Sequence, residues 1–357
     1  MRKSDWRPEG ASPGQNNMNK IRVLVVDDSP FVRKALLRIF DAAPGIEVAG
    51  VASSGKEAIE KVFVLNPDVI TLDVNMPGMN GIDTLKVIME ERPTPVLMLS
   101  QYTKEGADLT LSALELGAMD FVDKSSTGMM DFLDLAREIV AKVTTIAGSR
   151  LVAKGAHRIR TLSCLNIKGL VDVVAIGAST GGPMALQTLL SAFPKEVPFA
   201  TLVVQHMPPG FTGPLARRLD TLCAIRVKEA EDGDHVVPGI CLIAPAGLHM
   251  TVRKGRELAR VRLAADPPDE IHRPSVDVLF ASVAKHCGER SIGVLLTGMG
   301  SDGARGMCEV KKSGGYTIAQ NEETAAIFGM PRVAVEQGGV DKVMPLGLIA
   351  EEVLTRA

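Results

Sequence analysis

Aromatic side chains are scarce in this chain, with one Trp, two Tyr and ten Phe among 357 residues. Net charge is nearly absent as well, since 40 basic residues face 42 acidic ones. The chain therefore offers neither a platform for stacking bases nor a surface for tracking phosphates, and nucleic acid is not an expected partner. The five cysteines, Cys164, Cys223, Cys241, Cys287 and Cys308, are scattered and form no Cys-x-x-Cys pair. That pattern argues against a disulfide framework and against a zinc site. A metal site built from His206, His235, His249, His272 and His286 is not expected either, because no pair has the His-x-x-x-His spacing of one helix face. No stretch approaches the ~18 apolar residues of a membrane span. Residues 1–19 carry Pro8, Pro13 and Gly14 but not the apolar centre of a secretory signal. These absences lead us to expect a cytoplasmic protein with a disordered tail over 1–19 and no direct membrane insertion.

With 46% hydrophobic and 23% charged residues, the chain has the composition of a folded protein. It is too long for one ordinary core, so two domains are expected, over 20–144 and 170–357, joined by a linker over 145–169. The linker prediction rests on charge. Between Ile139 and Val171 there is no acidic residue, whereas Lys142, Arg150, Lys154, Arg158, Arg160 and Lys168 are basic. Such a segment reads as a solubilising tether or as a docking site for an acidic partner.

In both domains short apolar runs alternate with amphipathic stretches, the rhythm of parallel strands crossing over through helices. The first domain fits five units, with strands over Ile21–Val26, 47–52, 68–72, 96–99 and 120–122. The second has apolar runs at 171–176, 200–204, 240–244, 292–296 and 316–319, and a stretch from Met250 to Leu263 that alternates like a hairpin. The expected fold class is α/β: a five-stranded flavodoxin-like domain followed by a parallel-sheet hydrolase domain with a β-hairpin. Open sheets of this kind place their sites at strand ends, where the chemistry-bearing residues of both halves fall.

In the first half Asp27, Asp28 and Asp73 follow or close apolar runs and would converge at one sheet edge. Three carboxylates held together repel unless a hard cation such as Mg2+ neutralises them. Asp73 could then attack a phosphorus centre, Lys124 would supply a point charge for the phosphoryl oxygens, and the Ser100 hydroxyl could bond one of them. Each residue alone has a plainer explanation, Asp28-Ser29-Pro30 as a helix cap and Phe121 as a core aromatic; the five together at strand ends do not. In the second half Gly177-Ala178-Ser179-Thr180-Gly181 has the Gly-x-Ser-x-Gly form that seats a serine on a tight strand-to-helix turn. A dinucleotide loop is the competing reading, but its second glycine position is Ser179, and no acidic residue closes a strand about 20 residues on. His206 and Asp302 follow two further apolar runs.

The first half resembles the receiver domain of bacterial response regulators over roughly 120 residues, including Asp73-Val74-Asn75-Met76-Pro77-Gly78. This resemblance implies phosphorylation at Asp73, a Mg2+ site at Asp27, Asp28 and Asp73, and readout by Ser100, Lys124 and Phe121, the last by changing rotamer. One departure is Ser125 after Lys124, where receivers usually carry proline in a cis bond. A cis bond before serine would cost ~2.5 to 4 kcal/mol, so this loop is expected to be trans, or strained.

The second half resembles the catalytic domain of bacterial chemotaxis protein-glutamate methylesterase. The matching strings include Gly177–Pro183, Gln205-His206-Met207-Pro208-Pro209-Gly210-Phe211, Arg273-Pro274-Ser275-Val276-Asp277 and Thr297–Gly303. The family pattern implies Ser179 as nucleophile, His206 as base and then acid, and Asp302 as the group orienting His206. Thr180 and Met299 are the implied oxyanion donors through their backbone N–H groups. The expected reaction is hydrolysis of glutamate γ-methyl esters, with glutamine deamidation as a second activity and no cofactor for hydrolysis. The expected partners are chemoreceptor helices as substrate and a histidine kinase as phosphodonor. A DNA-binding output is disfavoured because no helix-turn-helix or basic stripe appears, and a non-catalytic receptor-binding scaffold because Ser179, His206 and Asp302 are intact.

Overall fold

The computed structural model describes residues 20–101, 103–124, 129–149, 170–255 and 258–357. The predicted tail over 1–19, most of the linker and the bond between Lys124 and Ser125 lie outside the described residues. The first unit runs β1 (Ile21–Val26), α1 (Pro30–Asp41), β2 (Ile46–Ala52), α2 (Gly55–Leu65), β3 (Val69–Asp73), α3 (Gly81–Glu91), β4 (Val96–Ser100), α4 (Lys104–Leu116), β5 (Asp120–Asp123) and α5 (Met129–Ala147). Four of these helices open on a side-chain cap, from Ser29, Ser54, Asn80 and Thr103, whose oxygens accept otherwise orphaned N–H groups. The sheet is parallel in the order β2-β1-β3-β4-β5. Val23 and Val25 face α1 and α5, while Leu24 and Val26 face α2 to α4, so both faces of the sheet are covered and its central strands are largely apolar.

The second unit contains β6 (Val173–Ala178), α6 (Gly182–Ser191), β7 (Ala200–Gln205), α7 (Thr212–Leu222), β8 (Arg226–Glu229) and β9 (Ile240–Ile243). After the antiparallel hairpin β10 (His249–Arg253) and β11 (Arg260–Ala264) come α8 (Val276–Cys287), β12 (Ser291–Leu295), α9 (Ala304–Lys312), β13 (Tyr316–Gln320), α10 (Met330–Glu336), β14 (Lys342–Met344) and α11 (Leu346–Arg356). Its sheet is parallel, in the order β14-β13-β12-β6-β7-β9-β8. The chain enters at β6, builds outward through β7, then returns to the other side of β6 with β12. The β6–β12 boundary is therefore a topological switch point, where loops diverge and leave a crevice.

The two units share a core. Leu111 and Leu114 of α4 belong to the same buried apolar cluster as Leu186 and Leu189 of α6 and Leu215 and Leu219 of α7. No helix among the described residues is long and apolar enough to cross a membrane.

Candidate active site and phosphoryl site

Register decides which strand-end residues meet. Ala178 pairs with Gln205, so Ser179 and His206, the next residues along, leave β6 and β7 side by side. Leu295 pairs with Gly177 on the other flank of β6, which brings the loop after β12 to the same edge. Ser179 enters a turn closed by Gly181, whose φ of +75° is a left-handed conformation that a side chain would strain, and α6 begins at once. The loop after β12 crosses this turn closely. A Cβ at Gly298 would lie 2.8 Å from the Ser179 Cβ and collide with Met330.

Asp302 is held by the start of α8. Its Oδ1 accepts from the Ser275 hydroxyl at 2.9 Å and the Asp277 N–H at 2.9 Å, and its Oδ2 accepts from the Val276 N–H at 2.7 Å. Oδ2 also lies 2.8 Å from His206 Nε2. Burial alone would push this carboxyl up, but the bond to His206 and the helix N–H groups outweigh it and hold the group at about 2. Asp302 is therefore ionised at neutral pH and can only accept, which makes Nε2 the protonated nitrogen of His206. Nδ1, the nitrogen that carries the lone pair in the neutral form of this tautomer, is buried and has no hydrogen-bond partner among the described residues. Among the described residues no bond ties the Thr180 or the Met299 N–H to another group.

Three supports escaped sequence reasoning. Gln205 Nε2 donates to the Ser179 carbonyl at 2.9 Å and to the His206 carbonyl at 3.0 Å, bracing both loops. Thr297 accepts the Ser179 N–H through its carbonyl at 3.0 Å and donates from its hydroxyl to the Thr180 carbonyl at 2.9 Å. Ser275 both caps α8 and holds Asp302. All three sat in motif strings noted above, but a brace is invisible until strands are paired. His272, weighed only as one of several metal candidates, stacks on the ring of His206. The five histidines form no metal cluster among the described residues.

In the first unit Val26 pairs with Leu72 and Ser100 with Asp123, which gathers the loops at one edge. One ligand atom each from Asp27, Asp28 and Asp73 lies within 4.8 Å of the others. Lys124 Nζ bridges Asp27 at 2.9 Å and Asp73 at 2.8 Å. Burial pushes the Asp73 carboxyl above its ordinary value, Lys124 pulls it down, and Asp27 pushes it up again. One ammonium leaves this hard-oxygen cluster short of positive charge, so the donor set fits a divalent cation. Ser100 is fully buried, with its hydroxyl accepting from Thr110 of α4 at 2.8 Å.

The first unit covers the second at residues neighbouring Ser179. Asp120 Oδ2 accepts from the Thr180 hydroxyl at 2.6 Å, and the Thr145 hydroxyl lies 3.0 Å from Met299 Sδ. The Phe121 ring meets that of Phe211 with centroids 4.5 Å apart. Arg218 of α7 makes a two-pronged salt bridge to Glu115 of α4 and also reaches Ser112 at 3.3 Å. Lys142 of α5 ties this edge together, contacting Asp120 at 3.3 Å and the Phe121 carbonyl at 2.6 Å.

Comparison with known proteins agrees with this geometry. Residues 174–353 match the CheB methylesterase family and 23–132 the response regulator receiver domain. A protein from Archaeoglobus fulgidus named protein-glutamate methylesterase/protein-glutamine glutaminase is 46% identical over 340 residues, covering 94% of this chain and 97% of its own length. The chain belongs to that family. A relative of the same name from Salmonella typhimurium is 45% identical over 341 residues, covering 95% of this chain and 97% of itself. The CheB methylesterase catalytic domain of Thermotoga maritima, a crystal structure, is 41% identical with a TM-score of 0.51, covering 52% of this chain and 97% of that one. As a family member, the chain is a hydrolase with an attached receiver domain.

Proposed function

We propose that the chain hydrolyses glutamate γ-methyl esters on the cytoplasmic helices of chemoreceptors, and glutamine side-chain amides at the same site, under control of phosphorylation at Asp73. The observation that carries the first part is the unpartnered Nδ1 of His206 at the strand end beside Ser179, its opposite nitrogen fixed by an ionised Asp302. Ser179 Oγ attacks the ester carbonyl while its proton passes to His206 Nδ1. The oxyanion takes up hydrogen bonds from the Thr180 and Met299 N–H groups. The proton on Nδ1 then passes to the departing oxygen, releasing methanol, and water activated by the same nitrogen cleaves the acyl-serine. With an amide substrate the leaving group is ammonia. The deciding assay is methanol release from a methylated receptor fragment; none from folded protein would leave the scaffold reading standing.

Control comes from the receiver, in a protein we place in the cytoplasm. Asp27, Asp28 and Asp73 would hold Mg2+, which when bound supplies positive charge to a phosphoryl group arriving from a histidine kinase. Lys124 would move from its two carboxylates to the phosphoryl oxygens, and Ser100 would give up Thr110 to reach them. Thr110 lies on α4, the helix that carries Glu115 into the interface, so this exchange loosens the cover over Thr180. An Asp73→Asn variant should form no base-labile acyl phosphate with acetyl phosphate and Mg2+ while keeping its basal esterase rate. Label on that variant would mean the acceptor is misassigned.

The Glu115–Arg218 bridge gives a second test. Arg218→Glu sets like charges face to face and should raise the basal rate of full-length protein while shrinking the stimulation by phosphodonor. A tenfold rise requires only ~1.4 kcal/mol between covered and open states. Unchanged methanol release in both conditions would show that this bridge does not restrain the site.

A further inference from the structure

His206 is fastened in its own plane by a single hydrogen bond, Nε2 to Asp302, and its Nδ1 edge has no partner. That bond and the covalent link through Cβ hold the ring at two ends, and the rotation left about the Cβ–Cγ bond, which turns the Nδ1 edge toward or away from Ser179, is set by what packs on the ring faces. The face of the ring is where that freedom is removed. The His272 imidazole lies 4.2 Å away between centroids and is inclined by only 21°, a near-parallel stack. We propose that His272 is a positioning residue for the reaction, a flat neutral lid whose contact sets the plane of His206 so that Nδ1 addresses Ser179. This inference rests on the reading of His206 as the base.

The segment carrying His272 is built to hold it there. Two residues before it, Glu270 accepts from Arg305 Nη2 at 2.8 Å, and Arg305 Nε donates to Asp277 at 2.9 Å. Asp277 is the residue whose N–H holds Asp302, so lid and orienting carboxylate share one frame. After it the Arg273 carbonyl accepts the Gly247 N–H at 3.0 Å, and further ahead of it the Pro267 carbonyl lies 3.1 Å from His249 Nε2. His272 is thus fastened before and after, although its own ring makes no hydrogen bond among the described residues. Its charge state suits the role. Burial against the loop and the nearness of His206 push its imidazole down to about 4, with Lys142 acting the same way and Asp302 and Glu270 opposing. At neutral pH it is uncharged. When His206 takes the serine proton it therefore meets a π face, which welcomes a cation, instead of a second cation.

The test compares His272→Ala, His272→Phe, Glu270→Ala and His206→Gln in the full chain, with thermal unfolding alongside. A base turned off line should cost on the order of 10- to 100-fold in kcat. His272→Ala should show that loss with KM little changed, and His272→Phe, which keeps a flat apolar face, should recover most of it. Glu270→Ala should show a smaller loss of the same kind and add little to His272→Ala. Phenylalanine as poor as alanine, with both folded, would mean that a ring nitrogen is needed and would overturn the stacking role. Alanine at wild-type kcat would overturn it as well. High activity in His206→Gln would instead refute the assignment of the base, an outcome distinguishable from failure of the lid.

Discussion

Ser179→Ala should lose methanol release by about 10^5- to 10^6-fold and melt at the wild-type temperature. The substitution removes one oxygen and nothing that shapes the turn. The Ser179 N–H still meets the Thr297 carbonyl at 3.0 Å, and its carbonyl still accepts from Gln205 at 2.9 Å and from Gly182 at 2.7 Å. Alanine even suits the close passage of Gly298, because the Cβ is unchanged. His206→Gln should fall equally far, and the double variant no further, since a base without its nucleophile has no proton to take. The residual rate would come from substrate binding and the Thr180 and Met299 N–H groups. More than a tenth of wild-type turnover in Ser179→Ala would remove Ser179 from the reaction.

Much of this arrangement was legible in the sequence, for a physical reason. Strands of a parallel sheet are buried on both faces and read as continuous apolar runs, and the polar residue that ends each run is placed at the edge where the crevice forms. Asp27, Asp73, Lys124, Ser179 and His206 are all of that kind, and the hairpin at β10 and β11 fell within about two residues of its predicted span. Edge strands were harder. Arg226–Glu229 and Lys342–Met344 are short, and most of their residues keep some solvent exposure, so neither made a run that stood out. Gln205 looked like the polar end of a strand, yet it is almost wholly buried and braces two loops. The stack of His272 on His206 joins residues on separate loops, and no periodicity encodes it.

No run or motif in the sequence names the residues through which the receiver covers the second unit. Phe121 was read as a switch aromatic, and the structure adds that its ring lies on Phe211 of the other unit. Asp120 had no role in the sequence reading at all. Its bond to the Thr180 hydroxyl depends on β5 reaching the loop after β6, a contact between units that each fold around their own sheet.

Asp302→Asn should cost about 10^4-fold in kcat, by moving a lone pair more than by moving an atom. Oδ1 and Oδ2 together accept four hydrogen bonds, from Ser275, Asp277, Val276 and His206. An asparagine amide has only one acceptor oxygen, so its NH2 replaces one of the two. Placed at Oδ1, the NH2 opposes the Asp277 N–H; placed at Oδ2, it opposes the Val276 N–H and faces His206 Nε2. In the second arrangement Nε2 becomes the acceptor, the ring proton shifts to Nδ1, and the nitrogen beside Ser179 can no longer take a proton. The 15N shifts of His206 should report that exchange of tautomers. Stability should respond too, and its sign follows from the pKa. The Asp302 carboxyl is held down at about 2 in the folded protein, below the unfolded value of about 3.9. It therefore stabilises the fold at pH values above the unfolded value, by about 2 to 3 kcal/mol, and the contribution disappears as pH falls from about 4 toward about 2. Urea melts should show wild type more stable than Asp302→Asn at pH 7, with the gap narrowing across that acidic window. A gap that stays constant through the window, or a variant within tenfold of wild-type kcat, would mean that Asp302 does not hold His206 through its charge.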